Sequence, residues 1–215
     1  MCHNVRMEKD KLLVELEREI AEDKKLPLLT ANLVFGEGNS STEILFIGEA
    51  PGQNEDIQKR PFVGKAGQLL RNLIKKIGWR EADVYITNIV KRRPPGNRDP
   101  LPEEIEAYKP YLTRQIEIIK PKLIVPLGRF ATNYFLPLAK ITRDQGKIFR
   151  AGEWRVFPLF HPAAALRSPD MMKALEENFM KLPLALEQIK NPSEKKIEDP
   201  LLPKKDEKPK QSQLF

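Results

Sequence analysis

Thiol chemistry is almost absent from this sequence, with one cysteine, Cys2, among 215 residues. A single thiol closes no internal disulfide and builds neither a cysteine-based zinc site nor an iron–sulfur cluster. Histidine is nearly as scarce, limited to His3 and His161. Apolar runs are only a few residues long, far short of the roughly 20 needed to span a bilayer. No charged-then-apolar leader resembles a secretion signal, so a reducing intracellular compartment is expected. Acidic residues number 30 against 37 Lys plus Arg, for a formal charge of +7. That balance suits a polyanionic partner, because Lys and Arg displace counterions from a phosphate backbone.

What is present alternates between two patterns. Residues 7–25 set Leu12, Leu13, Leu16 and Ile20 at helical spacing. Leu33-Val34-Phe35 precedes the turn-prone Gly36-Glu37-Gly38-Asn39. Residues 43–47 (EILFI) read as a buried strand ending at Gly48, and a Gly- and Pro-rich loop runs on to about Gly64. Leu69, Leu70, Leu73, Ile74 and Ile77 then predict a helix closed by Gly78. Strands are predicted at 84–90, 122–127 and 155–160, and helices at 103–119, 128–136 and 168–189. The alternation predicts an α/β fold with a mostly parallel sheet covered on both faces. One domain is expected over residues 1–190. Residues 191–215, rich in Lys, Glu, Asp, Pro and Ser, are expected to form a flexible tail, since they cannot bury enough apolar area to order themselves.

In open parallel sheets, ligands bind beyond the carboxyl ends of the strands. Three loops in such positions carry unusual residues. The first holds Gly48-Glu49-Ala50-Pro51-Gly52, then Glu55-Asp56 and Pro61-Phe62-Val63-Gly64. The second runs from Thr87-Asn88 through Lys91-Arg92-Arg93-Pro94-Pro95-Gly96-Asn97-Arg98. The third is His161-Pro162-Ala163-Ala164-Ala165-Leu166-Arg167. Together they supply carboxylates, an amide, an imidazole, an aromatic ring and clustered Arg, which is what an extruded nucleobase requires. An Asn amide donates to a carbonyl and accepts from an N–H at once, which suits uracil's O4 and N3–H, whereas cytosine presents the opposite pattern. An imidazole donor suits charge developing on a departing base. Taken singly, Glu49 or Glu55 reads equally well as a solvated side chain, Asn88 as a loop anchor, and His161 as a structural residue before proline. The joint occurrence is what points to a base pocket.

The run GEAPG at 48–52 with Glu55-Asp56, then PFVGKAGQLL, TNIVKRRPPGNR, LIVPLG and HPAAALR in order, closely resembles the family 4 uracil-DNA glycosylases. The resemblance implies a three-layer αβα sandwich. It also implies a monofunctional hydrolase that uses water and no catalytic metal, releasing uracil and leaving an abasic site. By position, Phe62 would stack on uracil, Asn88 would read its polar edge, and His161 would stabilise the departing anion. Gly48 and Ala50 would line the pocket, and Glu55 would crowd the C5 edge to exclude thymine's methyl group. Arg93, Arg98 and Arg167 would contact DNA, with the 161–167 loop entering the minor groove. Either Glu49 or a water held by loop backbone would supply the nucleophile, because Ala50 stands where better-known relatives have a catalytic Asp.

One departure stands out. Family 4 enzymes usually carry a 4Fe–4S cluster on four cysteines, yet Arg92 and Tyr108 occupy two of those positions here and no cysteine follows Cys2. A branch without the cluster is therefore expected, with packing of Tyr108 and the N-terminal helix in place of the cross-link. Two other readings compete. A relative that binds uracil covalently would need a His in the basic loop, and Lys91-Arg92-Arg93-Pro94-Pro95 has none; a catalytically dead DNA-binding module would not need Glu49, Phe62, Asn88 and His161 together. A monomer acting on single- or double-stranded DNA in the bacterial or archaeal cytoplasm is expected. The tail's end, Gln211-Ser212-Gln213-Leu214-Phe215, resembles a bacterial sliding-clamp binding peptide through Gln211, Leu214 and Phe215.

Overall fold

The computed structural model describes residues 2–191; the segment holding Gln211, Leu214 and Phe215 lies outside the described residues. The described strands are β1 (Glu37–Gly38), β2 (Ile44–Gly48), β3 (Val84–Asn88), β4 (Leu123–Pro126), β5 (Phe149–Ala151) and β6 (Trp154–Val156). They form one sheet in the order β1-β3-β2-β4-β6-β5. β2 pairs in parallel with β3 and β4, and β4 with β6, while the edge strands β1 and β5 run antiparallel. β2, β3 and β4 are buried along their whole length, as expected of strands covered on both faces.

Because successive side chains point to opposite faces, the central strands feed two cores. Leu45, Ile47, Tyr85 and Ile124 face α1 (Cys2–Glu22), α4 (Pro102–Ile119) and α5 (Gly128–Phe135). Ile44, Phe46, Val84, Ile86, Leu123 and Val125 face α3 (Lys65–Lys76), α8 (Pro169–Phe179) and α9 (Leu182–Lys190). The result is the three-layer αβα sandwich that the alternating pattern predicts. Truncating one fully buried anchor, such as Leu16 of α1, costs about 2–5 kcal/mol through lost transfer energy and the cavity left behind.

The structure departs from the sequence pattern in several places, among them the strand expected over 84–90, which ends at Asn88. Leu13, Leu16 and Ile20 are buried but Leu12 is 42% exposed; Leu13 lies almost in line with Ile20 two turns on, whereas Leu12 is ~80° round the helix. The helix expected over 168–189 breaks into α8 and α9 because Pro183, in the first turn of α9, cannot continue a helix. The strand expected over 155–160 ends at Val156, and beyond Pro158, which has no N–H to give, only a Leu127–Leu159 bridge resumes the ladder. Two loops hide short helices, α2 (Gln53–Gln58) and α7 (Pro162–Ala165), too brief to show periodicity. A further short helix, α6 (Ile141–Asp144), follows α5. No helix among the described residues is long and apolar enough to cross a membrane.

Candidate active site

Gly48 and Asn88 end β2 and β3 in register. A Cβ on Gly48 would lie 2.4 Å from Asn88 Oδ1 and 2.6 Å from Phe62 Cζ, so only glycine lets the amide and the ring approach this closely. Asn88 is 2% exposed. Its main-chain oxygen accepts from Lys91 Nζ at 2.9 Å, but among the described residues nothing hydrogen-bonds its side-chain amide. Neither amide atom is among the fully buried atoms without a partner, so the amide stays open to the pocket and available to a ligand edge.

Phe62 is buried with φ 53°, a left-handed conformation that a side chain adopts only under constraint. Three features supply the constraint. Arg71 donates from Nε to Phe62 O at 3.1 Å and from Nη2 to Pro61 O at 3.1 Å, and is itself ion-paired with Glu37 and Glu81. Glu55 Oε1 accepts from the Val63 and Gly64 amides at 2.9 and 2.7 Å. Gly67 in α3 lies so close that a Cβ there would sit 1.9 Å from Phe62 O. The corner is over-determined, and the ring it presents lies 5.8 Å from the His161 imidazole at an interplanar angle of 32°.

His161 caps α7: its Nδ1 accepts from the Ala163 amide at 3.1 Å. An accepting Nδ1 carries no proton, so the neutral ring bears its proton on Nε2. Burial pushes its pKa down to about 4, with the Glu55 charge opposing. The imidazole is therefore a neutral Nε2–H donor at physiological pH.

Glu49 is half-buried, and burial followed by the negative charge of Asp99 pushes its pKa up to about 7, with Arg129 opposing. Arg129 and Asp99 are themselves 3.6 Å apart. Ala50, half-buried beside Glu49, packs against the α1–α4 core.

The predicted DNA contacts differ from one another. Arg167 is exposed beside Leu166, which is 48% exposed between α7 and α8. Arg93 is half-buried, with Nε on Asn97 Oδ1 at 2.6 Å. Arg98 instead makes a two-pronged contact with buried Glu104 at 2.8 and 2.6 Å, which ties the basic loop to the start of α4. Sequence reasoning missed Arg71. Its signal was a charge on the α3 face that otherwise carries Gly67 and Ile74, buried positions four residues before it and three after it.

The cluster implied by the family resemblance does not fit these residues. Tyr108 is fully buried and donates to Pro27 O at 2.9 Å, and Arg92 donates to Ala31 O at 2.6 Å. Neither offers a thiolate, and both are bonded into the segment before Val34. Further contacts bind α1 and its following loop to α4: Lys9 to Ile119 O at 2.8 Å, Arg114 to Glu19 at 2.7 Å, and Tyr111 to Asp23 at 2.6 Å.

Comparison with known proteins agrees with this geometry. The model of the uracil DNA glycosylase superfamily matches residues 35–183. The chain is 51% identical over 172 residues to a type-4 uracil-DNA glycosylase of Saccharolobus solfataricus, covering 75% of this chain and 80% of that protein. It is 44% identical over 181 residues to one of Archaeoglobus fulgidus, covering 79% of this chain and 91% of that protein. A type-5 uracil-DNA glycosylase of Pyrobaculum aerophilum is 30% identical over 129 residues, 59% of this chain and 56% of that protein. The matched region contains every element that builds the pocket, and the chain belongs to the uracil DNA glycosylase superfamily.

Proposed function

We propose that this chain hydrolyses the N-glycosidic bond of deoxyuridine in DNA, releasing uracil and leaving an abasic site. The observation that carries the reading is the buried Asn88 amide, unused by the protein, beside the constrained Phe62 ring. Uracil stacks on Phe62, and Asn88 donates to its O4 while accepting from its N3–H. As the bond from N1 to C1′ breaks, the electron pair moves onto uracil and is stabilised at O2 by His161 Nε2–H, a pre-oriented neutral donor. Glu49, with a pKa near the operating pH, takes a proton from water as the water oxygen adds to C1′. Its tuned carboxyl favours it over a backbone-held water as the activating group. Glu55 crowds the C5 edge against thymine's methyl, and its charge is felt at His161, which supports a position in the same pocket.

Arg167 and Arg93 contact phosphates, while exposed Leu166 serves as an apolar wedge of the kind that unstacks a base step. Arg98 joins them in contacting DNA, and its pair with Glu104 holds the loop that presents it. The chain belongs to a branch without the iron–sulfur cluster, its α1–α4 contacts standing in for the cross-link. It acts as a monomer in the cytoplasm, and Gln211, Leu214 and Phe215 engage a sliding clamp. Tethering of that kind raises the effective concentration near DNA. Deleting residues 211–215 should abolish capture by the organism's own clamp yet leave excision from a short oligonucleotide unchanged; an unchanged pull-down contradicts the clamp reading. Excision itself is tested with a uracil-containing oligonucleotide followed by alkali. Strand cleavage supports hydrolysis, and a gel-stable adduct would favour covalent capture instead.

A further inference from the structure

Lys91 is fully buried, and its side chain ends beneath the pocket on the sheet face opposite the Asn88 side chain. It lies in the loop leaving β3, and its main-chain oxygen accepts from the Val34 amide at 2.8 Å. Its Nζ contacts Thr87 Oγ1 at 2.7 Å, Asn88 O at 2.9 Å and Gln115 Oε1 at 2.6 Å, and stands 5.9 Å over the Phe35 ring. Among the described residues no carboxylate pairs with it.

Two of the three partners can only accept. Asn88 O is a carbonyl and has no proton to give. The Thr87 hydroxyl, which also reaches Phe35 O at 2.7 Å, can donate or accept. Gln115 turns its Nε2 to Phe35 O at 3.2 Å and to the Tyr85 hydroxyl at 3.4 Å, which fixes Oε1 as the atom facing Lys91. The amino group therefore donates to Asn88 O and Gln115 Oε1 whether or not it carries a proton charge, and the Thr87 hydroxyl takes the role that remains. Burial pushes the Lys91 pKa well down, and burying the amine carries a desolvation cost that a methionine of similar length would avoid.

We propose that Lys91 is a positioning residue for uracil excision: its buried amino group fixes the end of β3 from behind, so that the Asn88 amide faces the base edge in one register. The inference rests on the reading of Asn88 as the residue that recognises uracil. Asn88 carries its ligand-facing amide on one side of the sheet and its Lys91-bound carbonyl in the strand itself, so any release of that carbonyl turns the amide as well. Gly48 leaves the Asn88 oxygen room beside Phe62, so the amide's direction depends on the backbone that bears it.

The test is a double-mutant cycle on the full chain, read as the single-turnover excision rate per folded enzyme. Lys91→Met should lower that rate by about 10²-fold, the scale of a displaced binding group. In an Asn88→Ala background the same substitution should produce no further loss, because the residue through which it acts is gone. Thr87→Val, a milder change that leaves the amino group in place, keeps the test decisive if Lys91→Met does not fold; it should give a smaller loss that likewise vanishes with Asn88→Ala. An equal loss in both backgrounds, or no loss per folded molecule, overturns the Lys91 role while leaving Asn88's intact. A normal rate for Asn88→Ala alone overturns the reading of Asn88 and the Lys91 proposal with it.

Discussion

At the carboxyl end of the sheet the two faces treat polar atoms in opposite ways. On the side of α3 and α8, the Asn88 amide and His161 Nε2 have no partner among the described residues, although the backbone beneath them is tightly fixed. On the side of α1 and α4, polar groups close on one another: Tyr108 on Pro27, Tyr111 on Asp23, Arg114 on Glu19. Arg92 bonds Ala31 through Nη1 and leaves its buried Nε without a partner. The first arrangement leaves its polar atoms open and pre-oriented, which suits a ligand; the second is mostly bonded within itself, which suits a structural clasp. On the proposed function, this difference is what lets Tyr108 stand at the position of a cluster ligand while the proposed base pocket keeps its chemistry. A clasp needs closure and tolerates many residue types, whereas a pocket needs particular atoms at particular places.

The comparison breaks most readily at Asn88. Asn88→Ala should lower uracil excision by about 10⁴-fold, the scale on which sites built to hydrogen-bond a substrate discriminate. A near-normal single-turnover rate would put Asn88 with the structural side. His161→Ala should cost about 10²–10³ in that rate, the usual loss of one transition-state donor, with binding to a non-cleavable duplex nearly unchanged. Equal losses in binding and rate would make the histidine structural.

Glu49 sharpens the contrast because its effects on rate and stability have opposite signs. As a base it must be ionised, so the rate should fall as pH drops through about 7. His161 adds no acid limb near its ordinary 6.5, since it stays neutral down to about 4. The folded Glu49 pKa lies above its ordinary 4.5, so its contribution to stability is present below that value and is lost as pH rises through about 7. Glu49→Gln should therefore lower the rate by about 10²-fold yet raise the thermal midpoint at pH 8, an advantage that shrinks toward pH 4. A lower midpoint at pH 8 would mean that the carboxylate is a structural anchor. Tyr108→Phe should have the smallest effect. It loses one buried hydrogen bond, worth about 1 kcal/mol, and should lower the unfolding midpoint without changing the rate per folded molecule. A large loss of rate would mean that the clasp shapes the pocket.

Much of this was legible in the sequence. The buried strands EILFI and VYITN announce themselves as apolar runs between turn residues, and the pocket side chains follow because ligands gather at the carboxyl ends of such strands. Short elements were not legible: α2 and α7 are too brief to carry a period. Nor were pairings across long sequence distances. That Arg98 is bound by Glu104, or that Arg71 holds the Phe62 corner, depends on which faces meet in three dimensions. Lys91 is the clearest case. In the sequence it is one basic residue in a basic loop, and only its complete burial against three polar partners separates it from its neighbours.

The most direct measurement is single-turnover release of uracil from a uracil-containing oligonucleotide by protein pretreated with a chelator, with its visible spectrum recorded beforehand. A colourless protein that leaves an alkali-labile abasic site at a rate unaffected by the chelator is the predicted result. No cleavage, or brown protein that loses activity on chelation, would contradict a pocket that works through its own side chains without a cluster.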